Sequence, residues 1–162
     1  MLWSDNAYYY ARLYAKAGQF EETIFWINVS VESLIDEFLR QISPDSAIYE
    51  KLSNQESKFQ SAEEILAEQY PDMEGKVTWP NLLIPASVFT KLKRALEYLK
   101  QSKEQTKEIT RHYSLISKKR NQLFHGGSHD IQAKDIDCVF ESYHKLKSFF
   151  SQCITIDRTI IS

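Results

Sequence analysis

The chain has 162 residues, 43% of them hydrophobic and 26% charged, and a formal net charge of -2. That length suits one domain, 1–162, burying roughly two thirds of its unfolded surface, and the composition is that of a globular protein, with no repeat and no low-complexity tract. Near-neutral charge excludes a global positive field for nucleic acid, and two cysteines, Cys138 and Cys153, are too few for a disulfide framework and match no zinc-ligand spacing.

The start carries Trp3, Asp5 and Tyr8 to Tyr10 in place of a basic leader, and no apolar run approaches 18 residues. A cytoplasmic protein with no membrane contact is expected. The first helix is predicted from about Asp5 to Ala17, with Ser4 or Asp5 as cap and Gly18 as the left-handed stop. A second is predicted over 19–42, where Phe20, Ile24, Ile27, Val31, Leu34, Phe38 and Ile42 recur at spacings of three and four. Residues 43–86 hold all four prolines and read as a long loop or insertion. Within it, Ser61 to Glu64 has the form of a capping box opening a short helix towards Tyr70, and 71–85 reads as loop. The helical stripe resumes at Phe89, Leu92, Leu96 and Leu99, fades over Gln101 to Lys107, and returns at Ile109, Tyr113 and Ile116. After Gly126 and Gly127, a last helix over 133–151 follows Ile136, Val139, Phe140, Tyr143, Leu146 and Phe150, with a β-branched, extended tail over 152–162.

The stretch KKRNQLFHGG, residues 118–127, interrupts this pattern. Continuing the stripe from Ile116 lands on Arg120, an arginine where the core-facing rhythm asks for an apolar side chain. Asn121 and His125 are four apart, so the amide can orient the imidazole; Arg120 and His125 are five apart, about 140° around a helix, and need a distorted last turn or a second copy of the helix to converge. An imidazole that titrates near neutrality can take a proton from a ribose 2′-hydroxyl, and a guanidinium can hold the phosphate bidentately. The chemistry that suits the group is metal-free RNA cleavage. Lys118 and Lys119 are candidate RNA contacts, and Glu32, beside the stripe of the second helix, is a candidate partner of Arg120.

In Arg120, Asn121 and His125, followed by Gly126, the stretch resembles the HEPN superfamily (higher eukaryotes and prokaryotes nucleotide-binding). Its ribonuclease members are all-helical domains that carry an arginine, a polar residue and, after a few positions, a histidine. The resemblance covers residues 5–42 and 87–151 and leaves 43–86 as an insertion. It implies an all-α bundle of four to six helices, with the insertion between the second and third core helices, and a homodimer whose two motifs form one cleft. It also implies a metal-independent endoribonuclease, without cofactor, acting as a toxin or in antiviral or abortive-infection defence, with a possible separate antitoxin or regulatory partner. Gly127 stands where members paired with a nucleotidyltransferase carry a tyrosine, so modification there is not expected. The competing expectation is a non-catalytic helical module that binds nucleotide, RNA or a protein partner.

His112, His129 and His144 have no partner at metal or triad spacing and read as structural or surface residues. The aromatic runs Tyr8 to Tyr10 and Phe149-Phe150 read as core or dimer contacts.

Overall fold

Two antiparallel helices open the chain. In a computed structural model, which describes residues 2–57, 67–73, 82–124 and 131–160, α1 (Trp3–Lys16) and α2 (Phe20–Ile42) are joined through Gly18. Its φ of +71° lies in the left-handed region that disfavours any side chain. Ser4, Ala7 and Ala11 are buried along one face of α1, and these small residues let its backbone lie close against α2. Ser4 and Asp5 do not cap α1 as expected: Leu2 holds the N-cap position without a side-chain bond. Both residues instead tie α1 to its neighbours. The Ser4 backbone N–H donates to the Glu37 carboxylate at 3.1 Å, and Asp5 accepts from Lys147 Nζ at 2.8 Å.

α2 is the axis of the bundle. All of its predicted stripe from Ile24 to Ile42 is buried, and so are Ile35 and Leu39 beside it, because helices cover α2 on more than one side.

The segment expected to be irregular contains structure. Asp45 caps α3 (Ser46–Ser53) by accepting from the Ile48 N–H at 2.9 Å, and Leu52 joins the core. β1 (Asn54–Ser57) then pairs antiparallel with β2 (Leu82–Pro85), which corrects the reading of 71–85 as loop throughout; Pro71–Met73 is a 3₁₀ turn. Arg94 fastens this ribbon to the bundle by donating to the Asn54 carbonyl at 2.6 Å. The capping box at Ser61 to Glu64 lies outside the described residues.

α4 (Val88–Tyr98) is capped by Ser87, and α5 (Lys103–Phe124) follows after a turn. In that turn Lys100 has φ +55°, and the Gln101 N–H reaches back to the Leu96 carbonyl at 3.0 Å, a helix stop of the kind glycine usually supplies. α6 (Ala133–Ile160) runs nine residues past the predicted end, so residues 152–160 are helical where an extended tail was expected. Packing of Cys153 and Ile154 against the core continues a helix already nucleated, and a β-branched preference worth a few tenths of a kcal/mol per residue, about 0.5, does not stop it.

The architecture is an all-α bundle with one short ribbon. α6 packs on α2 and α5, and the Phe38 and Phe150 rings stack in the core at 4.3 Å. Phe149 and Phe150 are buried, Tyr8 is half-buried, and Tyr9 and Tyr10 are exposed. Among the described residues no helix is long and apolar enough to cross a membrane.

Candidate functional site

The last turns of α5 place the motif. Ile109, Tyr113 and Ile116 are buried as their spacing predicts, and half-buried Leu123 takes the next core-facing place. Arg120 and Asn121 are both exposed. The guanidinium of Arg120 donates from Nη1 to Asn121 Oδ1 at 3.3 Å and lies 5.2 Å over the Phe124 ring, so two neighbours on its own helix hold it. Among the described residues no carboxylate comes within 4.0 Å of it. A cation held in place and left unneutralised can receive an anionic group bidentately.

Glu32 and Arg120 are not joined in an ion pair, although their helices pack. The carboxylate of Glu32, half-buried, accepts from Asn28 Nδ2 at 2.9 Å. Both charges act on the same phenol. Burial pushes the Tyr113 hydroxyl up from its ordinary pKa, a hydrogen bond with Ser117 opposes this, Glu32 adds to it and Arg120 subtracts from it.

His125 lies outside the described residues, as do Gly126, Gly127 and His129. The two helix ends on either side of them are described, and they are pinned together. Lys119 Nζ donates to Asp135 Oδ1 at 2.8 Å, and the other oxygen of Asp135 accepts the Gln132 backbone N–H at 3.0 Å. Asp135 is thus at once the capping carboxylate of α6 and the partner of a cation on α5. Lys119 and then the Gln132 N–H hold its carboxyl below the usual range. Lys119 is therefore committed to the scaffold, whereas Lys118 is exposed. The spacing Gln132-x-x-Asp135 is the one sequence signal that could have revealed the capping role, and the four-residue step from Arg120 to Phe124 is the signal for the ring beside the guanidinium.

Of the other histidines, His112 is 7% exposed, with Nδ1 3.0 Å from Ser142 Oγ and Nε2 3.9 Å from Glu108 Oε1. Carboxylate, imidazole and hydroxyl stand in triad order, but the hydroxyl is sealed, Ser142 being 3% exposed, and the carboxylate is beyond hydrogen-bond reach. The group holds α5 to α6. His144 is exposed and bonds Tyr8.

Comparison of the chain with protein families, with characterised proteins and with solved structures gives no match.

Proposed function

We propose that the end of α5 is half of the catalytic groove of a metal-independent endoribonuclease of the HEPN kind. The observation that carries this reading is Arg120: exposed, braced by Asn121 and Phe124, and without a carboxylate within 4.0 Å among the described residues. In this reading Arg120 binds the scissile phosphate and its developing charge. His125 takes the proton of the ribose 2′-hydroxyl, whose oxygen attacks phosphorus; the 5′-oxygen leaves with a proton from the second His125 of a homodimer. The products are a 2′,3′-cyclic phosphate and a 5′-hydroxyl end. DNA, which lacks the attacking hydroxyl, is not cut. Asn121 orients the group, and Lys118 contributes charge along the RNA. Phe124, 61% exposed beside the motif, offers apolar surface for the second copy. A toxin or antiviral effector acting in the cytoplasm, restrained by a separate partner, is the setting that fits such an activity.

The test is incubation of purified protein with RNA in EDTA beside the His125→Ala and Arg120→Ala variants, reading fragments and end chemistry. Cleavage by wild type alone, with cyclic-phosphate ends, supports the reading; equal cleavage by the variants removes the site assignment. A second reading, a binding module, is favoured by the exposed Trp3, Tyr9, Tyr10 and Leu13 of α1. It predicts RNA or protein binding without cleavage by any of the three proteins.

A further inference from the structure

α1 is close to α2 but is held away from α6 by large rings. Tyr8 of α1 stacks on Tyr143 at 4.9 Å and meets Phe140 edge-on at 5.8 Å. Towards the end of α1 those rings give way to Ala15, opposite Ala133 at the start of α6, and the space between the helices opens into a cleft of about 480 Å³. That volume is within the range of small-molecule sites, roughly 300–1,000 Å³. Phe20 and Phe140 supply aromatic walls, and Arg12 and Lys16 stand at the cleft with one acid, Asp137.

We propose that this cleft binds a small phosphorylated aromatic compound, its ring against Phe140 and Phe20 and its phosphate between Arg12 and Lys16. Three observations converge on that class. The first is that both cations are exposed and neither has a carboxylate within 4.0 Å among the described residues, although Asp137 lines the same cleft. Four residues apart on one helix, they repel each other, and a dianion between them turns that repulsion into shared attraction. The second is that Arg12 is braced before any ligand arrives: its Nη1 donates to the Tyr8 hydroxyl at 3.2 Å, and that hydroxyl lies 3.1 Å from His144 Nε2. A guanidinium has five N–H donors, so this anchor leaves most of the fork for a phosphate. The third is that the first turn of α6 forms part of the wall through Ala133: Asp135 takes the Gln132 N–H and donates its own to the Gln132 carbonyl, which leaves the N–H groups of Ala133 and Lys134 without an acceptor among the described residues. The ring surfaces and the cations address opposite ends of one amphipathic molecule, which neither a free anion nor a neutral aromatic compound would use in full.

The site shares no residue with Arg120, Asn121 or His125, so it stands or falls apart from the ribonuclease reading. Calorimetric titration with phenyl phosphate, inorganic phosphate and phenol tests it. The expected result is one saturable site for phenyl phosphate, with each half-molecule at least tenfold weaker. Arg12→Gln and Lys16→Gln, both at exposed positions, are each expected to weaken phenyl phosphate roughly tenfold or more, the usual loss for a charge-assisted hydrogen bond. Phe140→Leu weakens phenyl phosphate and leaves inorganic phosphate unchanged. Arg120→Ala binds as wild type. No saturable binding of phenyl phosphate, binding untouched by both charge variants, or phenol binding as tightly as phenyl phosphate would each overturn the proposal.

Discussion

Ser30 and Tyr143 share a hydrogen bond in the middle of the bundle, with 3.0 Å between Oγ and the phenolic oxygen and neither residue exposed. Ser30 Oγ also lies 2.7 Å from the Ser4 carbonyl, which can only accept. The single serine proton therefore goes to Ser4, and Tyr143 donates to Ser30. Three helices meet through one hydroxyl. Ser30→Ala leaves a buried phenol without its acceptor and is expected to cost about 1–3 kcal/mol, whereas Tyr143→Phe removes the donor itself and costs about 1 kcal/mol. Urea unfolding of the two variants distinguishes them; equal losses would mean that the phenol finds water.

Arg120→Ala and His125→Ala are each expected to lower RNA cleavage by about a hundredfold to ten-thousandfold, the span usual for loss of a catalytic proton-transfer group or a fixed charge in a site. Arg120→Lys keeps the charge and loses the fork, so it does not restore wild-type rate. Lys118→Ala changes the salt dependence more than the rate under saturating RNA. Initial rates across a salt series read all four.

The buried imidazole of His112 makes stability depend on pH. Burial is the chief cause that pushes it below its ordinary value, and Arg111 and Lys145 act in the same direction against Glu108 and Glu141. The unfolded chain binds its proton first as pH falls. The contribution is therefore whole above about pH 6.5 and is lost as pH drops from there through the lower folded value. The wild-type denaturation midpoint is expected to decline over that window, and the decline is expected to be shallower in His112→Gln.

Asp135 acts on a lower window. Lys119 and the Gln132 N–H depress its carboxyl, so its contribution is present above about pH 4 and lost as pH falls through the depressed value. Asp135→Asn is expected to be less stable than wild type near neutrality, by about 1 kcal/mol for a half-buried pair, and the two are expected to converge in acid. A pH series of thermal midpoints shows whether they do.

At Lys100, φ +55° puts an L-residue where glycine is at ease. Lys100→Gly is expected to raise stability by about 0.5–1 kcal/mol, the strain relieved outweighing the added freedom of the unfolded chain. A fall in the melting temperature would show that the lysine side chain does more there than its backbone suggests.

The helices legible in the sequence were α1, by its Gly18 stop, and those with an apolar stripe long enough to repeat: α2 above all, then α4, α5 and α6. α3 is eight residues long, too short for its period to show, and only the Asp45 cap announces it. β1, with the sequence NQES, has no apolar alternation, and its partner begins well beyond it in the chain, so pairing was invisible locally. The turn at Lys100 escaped for want of a glycine. At the candidate site, the sequence rhythm put Arg120 on the core-facing stripe, whereas Leu123 takes that place and Arg120 is exposed. The capture of Lys119 did not show, because its partner Asp135 lies sixteen residues on, across the glycine pair.

The bonds that fasten α1 and α2 to α6 have a consequence for the order in which the chain can fold. Lys147 reaches Asp5 across 142 residues, His144 reaches Tyr8 across 136, and Tyr143 reaches Ser30 across 113. Contacts so distant in sequence are late to form, since the loop between them must close before they give anything back. A nascent chain that has emerged only as far as α5 can pair α1 with α2, yet it leaves Ser30 and the apolar flank of α2 without their cover. Until α6 is synthesised, the growing chain exposes the face of α2 that α6 covers, and apolar surface of that kind is what chaperones recognise and aggregates form on.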